Sequence, residues 1–230
     1  MPPPRGAWVR VRGKGRRVGS TNWLARHLND PYVRGARDQG YRARSAYKLL
    51  EIDRRFGLLQ PGGIVLDLGC APGSWTQVAA ARGCRVVGLD LQEVAPIAGA
   101  EVLQGDLFDP ATPARLRAAA GGPAAVVLSD MAAASTGQRA VDRLRAEALG
   151  EAVLGVLPDL LAAGGSAVIK LVRGAESGVT AEAKRAFARV QLVRPEATHR
   201  GSSEIYLVAT GYRGTPGGTS SSIGTNEEPS

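Results

Sequence analysis

The 230 residues suffice for one domain with a substantial core, and the formal net charge of +8 points to a polyanionic partner. No apolar run approaches the ~18–20 residues of a membrane span, and the basic N-terminus lacks the apolar centre of a secretory signal. A cytoplasmic protein without membrane contact is therefore expected, and its two cysteines read as reduced core residues rather than a disulfide scaffold. The charge is unevenly spread. Residues 1–48 carry twelve Arg or Lys against Asp30 and Asp38, a net of +10, while residues 49–230 sum to −2.

Residues 1–20, rich in Pro, Gly and Arg, predict a flexible basic arm in which Arg10, Arg12, Lys14, Arg16 and Arg17 flank Trp8. A single domain is expected over 21–213, with a basic helical part (21–60) before an α/β core (61–213). Thr21 reads as the N-cap of a helix over Asn22–Leu28, and Pro31 opens a second running toward Asp38. Gly40 breaks that helix, and Ser45–Phe56 follows with apolar residues at helical spacing. Arg34, Arg37, Arg42 and Arg44 of this part are the candidate contacts to RNA phosphates.

From Ile64 onward, strands and helices alternate. Strands are predicted at Ile64–Leu68, Arg85–Leu89, Ala100–Leu103, Ala124–Leu128, Ser166–Val172, Arg189–Val193 and Ile205–Thr210. Helices are predicted at Ser74–Ala81, Pro113–Ala119, Arg139–Leu161 and Ala181–Phe187, with Pro158 kinking or interrupting the third. The alternation implies a mostly parallel sheet with helices on both faces. The last two strands are too close for a crossover and read as an antiparallel pair, so the final strand runs against the others. The tail from 214 onward is expected to be disordered.

The stretch IVLDLGCAPGSWTQVAA, 64–80, forms a strand, a glycine turn and a helix start, where an open α/β sheet places nucleotide-like ligands. Gly69 and Gly73 allow the turn. The dinucleotide fingerprint and the P-loop are both missing. Asp67 sets a carboxylate in the turn, which repels phosphate but suits a cation. S-adenosylmethionine, a sulfonium with an ammonium and no phosphate, fits better than NAD or ATP. An ordinary βα turn is the bland alternative.

Polar residues also end the strands: Asp90 after VVGL, Asp106 after VLQG, Asp130 after VVLS, and Lys170 in SAVIKLV. Each alone could be a solvated strand end, but together they converge on one edge of the sheet. Against twenty-five arginines the chain has four lysines, two of them Lys48 and Lys170 on apolar surroundings. A buried lysine can give up its proton and arginine effectively cannot, so a proton acceptor here has to be lysine. A half-buried Lys170 merely paired with Asp130 is the structural alternative.

SAYKLLEID around Lys48, VLDLGCAPGSW, GLDL, LQGDLFD, LSDMA, LAAGGSAVIKLV and SSEIYLVATG together resemble the FtsJ/RlmE family, from about Asn22 to Tyr212. The resemblance implies a Rossmann-like class I methyltransferase fold with a seven-stranded sheet. It also implies S-adenosyl-L-methionine as donor and a ribose 2′-hydroxyl of large-subunit ribosomal RNA, a uridine, as acceptor. Its Lys-Asp-Lys-Glu tetrad falls on Lys48, Asp130, Lys170 and Glu204, and its donor-binding positions on Gly73, Trp75, Asp90, Asp106 and Asp130. Lys170 is then the general base, Lys48 helps place the ribose, and the two acids fix the geometry. Three features depart from the family pattern: Ala133 and Ala134 stand for Pro-Asn, Ser74 for the second glycine of APGGW, and the loop 198–203 is not arginine-rich.

Other readings stay open at this point. Related enzymes methylate tRNA or an mRNA cap, for which Trp8, Trp23 and Tyr32 are the stacking candidates. A non-catalytic RNA-binding assembly factor would keep the fold alone. Adenine amino-methylation needs a (D/N)PP(Y/F) loop absent at Ser129–Ala132, a catalytic thiol would fall on Cys70 or Cys84, and an NAD oxidoreductase lacks its fingerprint. His27 and His199 are isolated, so no metal site is expected. A monomer is expected.

Overall fold

The computed structural model describes residues 29–199 and 201–214. The basic arm, the helix expected at Asn22–Leu28, and the tail from 215 lie outside the described residues.

Pro31–Asp38 forms α1, capped by Asp30, whose carboxylate accepts the Tyr32 N–H (2.9 Å), with Pro31 in the first turn. Ala46–Phe56 forms α2 and stops at Gly57 in the left-handed conformation (φ +63°). The core then runs β1 (Ile64–Leu68), α3 (Ser74–Ala81), β2 (Arg85–Asp90), β3 (Ala100–Gln104), α4 (Thr112–Ala120) and β4 (Ala124–Ser129). It ends with α5 (Arg139–Leu160), β5 (Leu161–Val172), α6 (Ser177–Ala186), β6 (Phe187–Val193) and β7 (Glu204–Tyr212).

The seven strands are ordered β3-β2-β1-β4-β5-β7-β6. β3, β2, β1, β4 and β5 are mutually parallel; β7 runs antiparallel to β5 on one side and β6 on the other, as the short connection required. Strand alternation divides the core between the two faces. Leu66, Leu68, Val127 and Ile169 pack under α4, α5 and α6 through Leu116, Leu157 and Val179. Val65, Val126, Leu128, Val168 and Tyr206 pack under α2 and α3 through Leu49, Ile52, Trp75 and Val78.

Three differences from expectation stand out. α5 passes through Pro158, which sits in its last turn where one lost hydrogen bond is tolerated, and the helix is not interrupted there. β5 begins at Leu161, with a bulge before Ser166 pairs with Val126. α6 starts at Ser177, not Ala181, although Gly178, Val179 and Thr180 are weak helix formers. Packing overrides propensity: Val179 is fully buried at a close crossing, where a Cβ on Gly150 would come 3.0 Å from its Cγ2.

Candidate active site

Asp90 ends β2 and Asp130 follows β4; Asp106 lies just beyond β3, and Lys170 near the end of β5, so the parallel strands do deliver these groups to one edge. β7 runs the other way, so its beginning lies at that same edge. Lys170 pairs with Tyr206 in the β5–β7 register, and Val172 with Glu204. On the helix side, Lys48 of α2 is buried against both.

The result is one continuous network. Lys48 Nζ donates to Glu204 Oε2 (2.8 Å) and to the Tyr206 hydroxyl (3.0 Å). The Tyr206 hydroxyl donates to Asp130 Oδ1 (2.7 Å). Lys170 Nζ reaches the same Oδ1 (3.1 Å) and also donates to the Asp130 carbonyl. The four tetrad residues are thus brought together, and a fifth, Tyr206, joins their two halves. Burial pushes the Tyr206 phenol well above its ordinary range, reinforced by the Asp130 and Glu204 charges, so it remains a donor. Burial also raises the Glu204 carboxyl, but Lys48, Lys170 and Arg44 outweigh it and hold it below the usual carboxylate range.

Tyr206 is the member that sequence reading missed. Its signal was present: residues i and i+2 of a strand share a face, so a Glu204 that reaches the site brings Tyr206 with it.

Two cavities meet at this network. One, of about 630 Å³, is lined by Gly69, Ala71, Asp90, Asp106 and Asp130, with Leu91 and Phe108 at its rim. The second, of about 510 Å³, is lined by Lys170, Val172, Glu204, Arg139, Arg143 and Arg173. Met131, Ala132 and Ala133 line both, so Ala133, one departure from the family pattern, stands in the shared wall. The Lys170–Asp130 contact crosses from one cavity to the other.

The first cavity has features that fit a cationic nucleoside. Three carboxylates line it, and two are pre-set by backbone donors: Asp90 accepts from Ala71 N and Gln92 N (2.9 Å each), and Asp106 from Phe108 N (3.0 Å). Leu91 and Phe108, about two-thirds exposed, give this cavity an apolar rim that a flat ligand can cover. Nearby, the fully buried Asp67 Oδ1 has no hydrogen-bond partner. Asp67, however, does not line the cavity. It faces α3, accepts from Thr76 Oγ1 (2.6 Å), and its carboxyl is raised to about 7 by burial, with Asp130 and Asp90 adding to the shift.

Gly73 and Trp75 likewise stand behind the cavity wall. Gly73 (φ +106°) precedes α3, and a Cβ there would come 2.4 Å from Ile97 Cδ1. Trp75 points into the core, packs on Tyr206 (centroids 5.6 Å) and donates Nε1–H to the Ser45 carbonyl (2.8 Å). Ser74, in place of glycine, is satisfied by a 2.6 Å hydrogen bond to the Ser45 hydroxyl. Lys48 is also behind the acceptor cavity rather than on its wall; it holds Glu204 instead of facing a substrate.

The four N-terminal arginines divide. Arg42 donates to the carbonyls of Pro72 (2.9 Å), Ala95 (2.8 Å) and Pro96 (2.7 Å), bracing the glycine turn. Arg44 is salt-bridged to Asp30, donates to the Ala197 carbonyl, and lies over the Tyr32 ring (5.5 Å). The guanidinium groups of both are thus engaged within the fold. Arg34 donates to Asn29 (3.1 Å), and Arg37 is exposed. Tyr32 is already packed against Tyr47 (5.4 Å), which weakens it as a cap-stacking residue; Trp8 and Trp23 lie outside the described residues.

Cys70 and Cys84 are free and buried. The Cys70 thiol is pushed up to about 12 by burial and by Asp67 and Asp90, so it is no nucleophile at neutral pH. Among the described residues no group of three or more His, Cys, Asp or Glu could hold a metal ion, and no helix is long and apolar enough to cross a membrane.

A Rossmann-like sheet whose final strand is reversed, with a carboxylate-lined cavity at the edge of its parallel strands, defines a class I methyltransferase fold. A family model for FtsJ-like methyltransferases matches residues 41–212, and the chain belongs to that family. It is 50% identical over 202 residues (87% of this chain, 75% of the relative) to the Gluconobacter oxydans protein named ribosomal RNA large subunit methyltransferase E. An Acidiphilium cryptum protein of the same name is 48% identical over 212 residues, covering 91% and 94% of the two chains. Among solved structures, a Plasmodium falciparum protein described as a ribosomal RNA methyltransferase superposes with a TM-score of 0.69 at 27% identity, covering 76% of this chain and all of that one.

Proposed function

We propose that this protein methylates a ribose 2′-hydroxyl of large-subunit ribosomal RNA, a uridine in the assembled subunit, acting in the cytoplasm as a monomer with S-adenosyl-L-methionine as donor. The observation that carries the reading is the Lys170–Asp130 pair standing between two cavities, one suited to the donor and one open to an acceptor. The names of the relatives support the RNA substrate.

Bound S-adenosylmethionine supplies an electrophilic methyl on a sulfonium. Asp90 and Asp106 suit its ribose hydroxyls, Asp130 its cationic end, and Leu91 with Phe108 its purine. Lys170 takes the proton of the attacking hydroxyl. The form that accepts the proton has two N–H groups, enough for both contacts to Asp130, and a lone pair for the substrate. Lys48 and Tyr206 are positioning residues: they fix Glu204 and Asp130, so the acceptor enters a preset arrangement.

The test is methyl transfer from labelled S-adenosylmethionine to large subunits, naked ribosomal RNA and tRNA, followed by mapping of the labelled atom. Label at a ribose of the large subunit is expected. Label on tRNA or on a base would discard the substrate, and donor binding without label would favour an assembly factor.

A substitution at Gly69 probes the shared wall. Its φ of +74° costs an alanine about 1–2 kcal/mol, and a Cβ would stand 2.1 Å from Met131 Cγ. Gly69→Ala is expected to displace Met131 and weaken donor affinity by roughly tenfold, about 1.4 kcal/mol, as read by calorimetric titration. Unchanged affinity would mean that Met131 yields freely.

A further inference from the structure

We propose that Arg139, Arg143 and Arg173 form a phosphate grip that seats the RNA backbone beside the reacting ribose; this rests on the ribose-methylation reading above. All three line the acceptor cavity, and all three are exposed. Among the described residues none of their guanidinium groups makes a hydrogen bond or ion pair, whereas Arg42 and Arg44 are fully engaged. The acids lining the same cavity are both satisfied elsewhere. Asp142 accepts from Thr136 N and Oγ1 (2.7 Å each) and Ser135 Oγ (2.9 Å), bonds that hold its carboxyl below the usual range. Glu204 is bound by Lys48. The cavity lining therefore carries Lys170 and three arginines with uncommitted guanidinium groups against two carboxylates, a net positive surface.

Their placement suits one ligand chemistry. Arg139 and Arg143 are four apart on α5 and share a face, while Arg173 follows β5 directly, its N–H donating to the Ser203 carbonyl (2.9 Å). Arg143 lies close to Gly174, where a Cβ would come 3.2 Å from its Cζ, and its N–H donors stay uncommitted. Planar forks of this kind match phosphate oxygens in pairs. A ribose 2′-hydroxyl is always vicinal to its own 3′-phosphate, so a group that accepts the hydroxyl at Lys170 must meet a phosphate close by. The sequence shows the positive charge concentrated before residue 48; the structure adds this second cluster from the neutral body of the chain.

The experiment compares the full-length protein with the R139A/R143A/R173A triple variant and with the corresponding triple lysine variant. Binding of a single-stranded ribosomal RNA oligonucleotide is followed against salt. The alanine triple is expected to lower the log–log slope by about 2, close to 0.7 per lost contact, and the lysine triple to keep it. On large subunits, KM should rise on the order of tenfold per arginine lost, with kcat at saturation and donor affinity retained. Equal slopes for all three proteins would overturn the grip. The slope is read whether or not methyl is transferred, so failure of the methylation reading leaves the grip to be decided by binding alone. If the alanine triple fails to fold, the single R143A variant, exposed and without hydrogen-bond partners, gives the same test with an expected slope change of about 0.7.

Discussion

Lys170→Ala lowers methyl-transfer turnover by roughly 10²–10⁴-fold, the usual worth of a general base, while donor affinity is retained. Lys170 lines the acceptor cavity and not the donor cavity, which is why the two effects separate. The variant should fold, because Asp130 is partly exposed to solvent and keeps the Tyr206 hydroxyl as a donor (2.7 Å). Lys170→Arg is the sharper substitution. It keeps N–H donors for Asp130 but provides no lone pair at neutral pH. Single-turnover rates with donor prebound give the comparison directly. Near-normal turnover of a folded arginine variant would remove Lys170 as the proton acceptor and leave it as a structural partner of Asp130.

Asp67→Asn is expected to reverse the order of stability with pH. The Asp67 carboxyl is raised from 3.8 to about 7 in the fold. Between those values the native state holds a proton that the unfolded chain has lost, so this group's contribution makes stability fall as pH rises from about 4 to 7 and level off above. At about 1.4 kcal/mol per unit the full loss is about 4 kcal/mol. Asparagine avoids that loss and still accepts from Thr76, but its amide N–H₂ costs about 1–3 kcal/mol if it finds no partner. Without donor, the variant should therefore melt about 4–8 °C above the parent protein at pH 8 and no higher at pH 4. Thermal melts across that range check the crossing. Parallel curves would mean that Asp67 is charged in the fold throughout.

Much of the fold was legible because the sequence signals were local and agreed with one another. Pro31 and Gly40 bracket α1, and the short link between Val193 and Glu204 admits only a reversed last strand. The acids at Asp90, Asp106 and Asp130 could be read because each terminates an apolar strand. Less local facts were hidden. That Arg42 serves three carbonyls thirty or more residues away cannot be seen in a charge count, and neither can the lack of partners at Arg143. Asp67 looked like a ligand because it borders the turn, but strand alternation turns it under α3 toward Thr76. Tyr206 sits inside an apolar run, IYLVA, that reads only as a strand, and it is also part of the core. α6 began early because Val179 found a site against Gly150 that propensity could not foresee.

The place of β7 in the sheet has a consequence for assembly of the enzyme. β6 precedes it in the chain, but among the described residues β6 is hydrogen-bonded to no strand except β7. Until β7 is made, β6 has no neighbour and β5 is an open edge, while β1 to β4, which carry the donor side, can already be paired. The last strand then fills the gap and in the same movement brings Glu204 and Tyr206 to Lys48, across more than 150 residues of chain. Completion of the sheet and completion of the reaction centre are one event. A chain that stops before Glu204 lacks two members of the network, however much of the rest of the sheet has formed.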